Sequence, residues 1–145
     1  MPIATASGVS AAAQFLACSE QTIRHRARET VTLSRRRATD AVWAMLDMDS
    51  DAESIEYDTC RNAVALIESL PNAYPSPAVA AEPDGHIGLE WYKNPRRILS
   101  ASVSADGTVY WASLIGTEDL RGSFHFIDEA PSTFRQCIAR VMSPC

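Results

Sequence analysis

A chain of 145 residues with 46% apolar side chains is long enough for one domain around a single core and too apolar to remain disordered. The net charge of −5 excludes a surface coated throughout by nucleic acid, yet six arginines crowd between Arg24 and Arg37 with only Glu20 and Glu29 close by. No stretch approaches the ~20 apolar residues that span a bilayer, and "MPIATASGVSAAAQFLACSE" lacks the basic start and apolar run of a secretory signal, so a cytoplasmic protein with no membrane partner is expected.

In chain order, Ser10 can cap a helix reaching about Ala17, Ser19 a second reaching about Glu29, and a third covers Thr39 to Leu46. These make residues 1–47 a helical N-terminal region ahead of an α+β domain over residues 48–145. Cys60, Ala63, Val64 and Ile67 recur at the helical period and place a fourth helix that must end before Pro71. The stretch "PNAYPSPAVAAEPDG" holds four prolines and reads as extended or turned chain.

Beyond it the pattern alternates. Asp106 and Gly107 suit a two-residue turn needing positive φ, which sets Ala105 opposite Thr108, Val103 opposite Tyr110 and Leu99 opposite Leu114. Pairing Trp91 with Leu99 and Leu89 with Ala101 keeps like faces together and leaves Lys93 to Arg97 as a five-residue connection. The predicted core face is then Ile87, Leu89, Trp91, Leu99, Ala101, Val103, Tyr110, Ala112 and Leu114. The other face carries His86, Glu90, Tyr92, Ile98, Ser100, Ser102, Ser104, Val109, Trp111, Ser113 and Ile115. A further strand over Gly122 to Ile127 adds Phe124 and Phe126 to the core. In "DEAPSTFRQCIARVM", acids and Pro131 open a final helix whose Phe134, Ile138, Val141 and Met142 face the sheet. The expected fold is α+β: N-terminal helices, a four-stranded antiparallel meander, and a C-terminal helix packed on it.

Chemistry-bearing patterns are sparse. Cys18, Cys60, Cys137 and Cys145 form no C-x-x-C, and His25, His86 and His125 have no ligand spacing, so free thiols are expected and neither metal nor cofactor. Nucleotide-binding, hydrolase and zinc-protease motifs do not occur. His86 and Glu90 share a strand face about 13 Å apart, too far for direct proton transfer. A non-enzyme is therefore expected.

Two resemblances add to this reading. "SAAAQFLACSEQTIRHRARE" resembles the helix-turn-helix of excisionase-like and MerR-like DNA-binding proteins through Ala13, Leu16, Ser19, Thr22 and Ile23, with Ala17 in place of the turn glycine and Arg26 in place of an apolar anchor. The resemblance implies Gln21, Arg24 and His25 near base edges, and Arg26 and Arg28 near phosphate, with Arg35, Arg36 and Arg37 flanking. An alanine-rich capped helix followed by an arginine-rich surface helix gives the same pattern. "EPDGHIGLEWY" with "RRILSASVSADGTVYWASLIG" and a helix ending in "IARV" resembles a group of small bacterial proteins with a D-G, L-E-W and D-G hairpin pattern, which implies a fold and a prokaryotic or mobile-element origin but no activity.

The functional expectation is a non-catalytic regulator acting by protein contact, as an antitoxin or a phage-type inhibitor of a host system such as a defence complex. Its contact surface would be the outer sheet face, with Tyr92, Trp111, Ile98 and Ile115 rimmed by Glu90, Arg96 and Arg97. The alternative is a helix-turn-helix regulator using the basic N-terminal residues, dimeric on a palindromic site.

Overall fold

The computed structural model describes residues 34–47 and 54–144. The two N-terminal helices expected before Glu29 lie outside these residues. Helix α1 is described over residues 34–44, so helix already precedes the expected Thr39 by at least five residues, and it runs into a 3-10 turn at Met45–Asp47. Ala38, Val42 and Met45 recur along its inner side and join the main core. Helix α2, Tyr57–Ser69, buries Cys60, Ala63, Val64, Leu66 and Ile67. It stops where Leu70, placed before Pro71, turns extended at ψ 146°, because a following proline disfavours the helical region.

Five strands follow as one antiparallel meander: β1 Ala78–Ala81, β2 Ile87–Asn94, β3 Arg97–Val103, β4 Thr108–Ile115 and β5 Glu118–His125. Helix α3, Ser132–Met142, follows β5. The sheet thus has one strand more than the expected four. β1 is a four-residue edge, Ala-Val-Ala-Ala, between prolines, and alanine carries little β signal of its own. The last strand also starts earlier than expected, at Glu118 rather than Gly122.

β2 and β3 pair as expected, Trp91 with Leu99 and Leu89 with Ala101. The connection is shorter than the expected five residues, because Lys93 is absorbed as a bulge and Asn94 pairs with Arg97. The next hairpin corrects the predicted register. Val103 pairs with Val109, not Tyr110, and Leu99 with Ser113, not Leu114. The turn contains three residues rather than two: Gly107 N–H donates to Ser104 O at 3.2 Å, and Ser104 N–H to Thr108 O at 3.0 Å. Gly107 alone takes positive φ, at 90°, so Asp106 never enters the conformation that a two-residue turn would demand. One extra loop residue turns every β4 side chain over. Val109, Trp111 and Ser113 are therefore core, while Tyr110, Ala112 and Leu114 face outward.

Both α2 and α3 pack on the same side of the sheet. Phe134 is the hub, with its ring centroid 5.9 Å from Trp91, 5.9 Å from Trp111 and 5.1 Å from Phe124. Trp91 Nε1–H donates to Pro75 O at 2.9 Å, so its one polar atom is satisfied inside the core. Trp111 lies across Gly122 of β5, where an added Cβ would come within 2.9 Å of the indole. Ser113 Oγ, buried on this face, has no hydrogen-bond partner among the described residues. Ser113→Ala should thus be neutral or stabilise by up to about 1 kcal/mol in chemical denaturation, since it removes a desolvated hydroxyl without leaving a partner unpaired. A loss of stability would reveal a partner for the hydroxyl.

The β3–β4 turn is held twice. Asn62 of α2 donates through Nδ2 to Ser104 O and Ala105 O at 3.2 and 3.0 Å. Asp106 accepts from the Ser104 hydroxyl and from the Thr108 amide, which hold its carboxyl at a pKa of about 2. A carboxyl depressed below its unfolded value of roughly 3.9 contributes stability that is complete above that value and lost as pH falls toward the folded one. We expect the Asp106 side-chain NMR signal to titrate near 2 and this part of the stability to vanish between about pH 4 and 2. Asp106→Ala should remove that acid dependence.

Candidate functional site

The corrected register lets the outer face be written in rows across the strands. Tyr92, Ile98 and Leu114 are successive partners on β2, β3 and β4 and form one apolar row. The next row is Ala78, Glu90, Ser100, Ala112 and Arg121, and the one after it Ala80, Gly88, Ser102, Tyr110 and Ser123. Tyr92 and Tyr110 are 52% and 53% exposed, which is high for large aromatics on a regular sheet. They border a floor of small side chains. Over β1 and β2 that floor sinks into a hollow of about 290 Å³ lined in part by Ala78, Ala80, Gly88 and Ser100, with Glu82 and Glu90 beside it. Alternation explains the placement: the residues that build the core at odd positions of β2 leave the even ones on the other side.

The expected surface residues divide. Tyr92 and Glu90 are exposed on the outer face, Ile98 is half-buried there, and Arg96 is exposed in the β2–β3 turn. Trp111 belongs to the core, 9% exposed against Phe134. Ile115 is also on the core side, packed against the buried cluster. Arg97 points the same way and binds the end of α3, donating to Ser143 O at 2.9 Å, Arg140 O at 2.8 Å and Ser143 Oγ at 2.7 Å. A guanidinium on the last carbonyls of a helix satisfies orphan acceptors and opposes the dipole. Its structural partner was invisible in sequence because it lies 46 residues away.

Tyr110 and Leu114 are the outer-face residues that the inverted register had hidden. The signal for them is Asp106-Gly107, whose turn holds one residue more than the two-residue type.

Of the basic positions, Gln21, Arg24, His25, Arg26 and Arg28 lie outside the described residues. Arg35 is tied to the end of α2, donating to Leu70 O and Pro71 O, each at 3.0 Å, and to Asn72 Oδ1 at 3.2 Å. Arg36 and Arg37 are exposed on α1.

At the far end of the outer face a polar network gathers on the β1–β2 turn. Ser102 Oγ donates to Glu82 Oε2 at 2.9 Å and contacts His86 Nδ1 at 3.1 Å. The Asp84 carboxylate accepts from the His86 amide at 3.1 Å and approaches Nδ1 at 3.5 Å. Tyr110 stacks parallel to the His86 ring, centroids 6.5 Å apart. The donor atoms of Glu82, Asp84 and His86 all lie within 4.8 Å of one another. Attention to cysteine and histidine spacing passes over this group, which is brought together by alternate positions folded around a tight turn.

The described residues thus define an α+β protein with an open antiparallel meander. No helix among them is long and apolar enough to cross a membrane. Comparison with family models, characterised proteins and solved structures finds no match.

Proposed function

We propose that this is a non-catalytic regulatory protein acting by protein contact through its outer sheet face, in the manner of an antitoxin or a phage-type inhibitor of a bacterial host system. The observation that carries the reading is the pair of half-exposed tyrosines, Tyr92 and Tyr110, bordering a floor of Ala78, Ser100 and Ala112. Tyrosines supply large, rigid contact area at low entropic cost, and small residues between them allow a partner's backbone to approach. Leu114, 36% exposed beside Ile98, extends the apolar area. Glu90 and Arg121 provide the polar surroundings that orient a partner. Affinity capture with the wild-type chain and with a Tyr92→Ala/Tyr110→Ala variant tests it: a partner retained by the first and lost by the equally folded second supports the reading, and equal retention removes it.

A second reading rests on Arg36 and Arg37, exposed where the arginine-rich stretch enters α1. With the helix-turn-helix resemblance upstream, it makes the protein a DNA-binding regulator. Phosphate contacts release counterions, so such binding should weaken steeply with salt, whereas an aromatic protein interface should respond little.

A further inference from the structure

The geometry points to a binding site for a divalent transition metal of the zinc class, formed by Glu82, Asp84 and His86 on the β1–β2 turn. Two carboxylates and an imidazole place one nitrogen and two oxygen donors within 4.8 Å of one another. Ligands of a tetrahedral zinc ion, each bound at about 2.0–2.2 Å, stand roughly 3.3–3.5 Å apart, so side-chain rotations of about an ångström close the set.

Three features hold the donors in place before any ion arrives. The His86 ring lies parallel to that of Tyr110, centroids 6.5 Å apart, with Nδ1 3.1 Å from Ser102 Oγ. Asp84 is turned toward His86 by accepting from its amide. Glu82 lies over Gly88, where an added Cβ would come 2.7 Å from Oε1. A side chain at position 88 would displace this carboxylate.

Charge supplies an independent reason for a cation. Glu82 and Asp84 bring two carboxylates together, and among the described residues no arginine or lysine is hydrogen-bonded or ion-paired to either. Among the described residues the Glu82 carboxylate receives only the Ser102 hydroxyl, and the Asp84 carboxylate only His86. Converging negative charge with only a histidine facing it is the electrostatic setting that a divalent ion relieves. The imidazole favours zinc, cobalt or nickel over magnesium or calcium, which prefer all-oxygen shells.

Loading requires a proton to move. Ser102 spends its hydroxyl hydrogen on Glu82, so its oxygen is the acceptor toward His86, and neutral His86 carries its hydrogen on Nδ1. To ligate through Nδ1 the ring must become the Nε2–H tautomer: the Nδ1 proton leaves to water, Nε2 takes one up, and the metal occupies the freed lone pair. No net proton is released. Three protein donors leave one position of a tetrahedral ion for water or for a side chain of a bound partner.

The test is a zinc titration of the isotopically labelled full chain at neutral pH, followed through the His86 ring nitrogens and backbone amides, with magnesium and calcium as controls. The expected result is a shift of His86 from the Nδ1–H to the Nε2–H tautomer, with amide changes centred on residues 82–88 and no response to magnesium or calcium. His86→Ala should weaken binding at this turn at least about tenfold. Glu82→Gln should do the same, and because it keeps the turn's shape it guards against simple loss of folding. Zinc that binds without moving the His86 signals, through thiols or another surface group, would overturn the assignment. So would the absence of any His86 response at millimolar zinc.

Discussion

Replacing Trp111 with alanine is expected to cost about 3 to 5 kcal/mol of folding stability, as for a core aromatic. The ring is 9% exposed, sits edge-on to Phe134 at 5.9 Å, and lies across Gly122 with no Cβ between the strand and the indole. Removing it opens a void that β5 and α3 cannot both close. Trp91→Ala should cost a similar amount, since Trp91 is 1% exposed and packs on the same phenylalanine. The comparison is sharp because a hairpin shifted by one residue would leave Trp111 on the solvent side, where truncation costs within about 1 kcal/mol. Equilibrium denaturation of the two variants measures both values. A near-neutral Trp111→Ala would restore the two-residue turn and invert β4.

The second large effect concerns binding. Tyr92→Ala and Tyr110→Ala should each fold, since both rings are about half exposed and lie outside the core. Each should cost about 2 kcal/mol or more of affinity for a protein partner, roughly thirtyfold in dissociation constant. Ala112→Arg, in the small-residue row that separates the rows of the two rings, should abolish docking by filling the space a partner's backbone would need. The same substitution at exposed Glu68 of α2, on the opposite side of the sheet, should leave binding unchanged.

How far the sequence reveals this molecule depends on the range of the interaction concerned. α2 and α3 are legible because their apolar spacing is a local, repeated signal ended by proline or framed by Pro131. β2 and β3 are equally legible, since Leu89, Trp91, Leu99 and Ala101 can only match in one phase. β4 is not, because Val109, Trp111 and Ser113 compete with Tyr110, Ala112 and Leu114 for the core on nearly equal terms. The decision falls to one loop residue whose φ cannot be read from Asp-Gly alone. The site follows the same division: Tyr92 and Glu90 are placed by β2's clear alternation, and Tyr110 and Leu114 are lost with β4's register. Arg97 misleads for another reason, because a charged residue beside a turn reads as surface until the end of α3 arrives to accept its hydrogen bonds.

We propose that the outer face of the meander is where this protein meets its partner. The most direct test is calorimetric titration of a purified captured partner into the wild-type chain and into Tyr92→Ala/Tyr110→Ala, at low and at high salt. The expected result is a loss of roughly thirtyfold or more in the variant, with unchanged folding and only a modest salt effect on the wild type. Equal affinity in the two chains would contradict it.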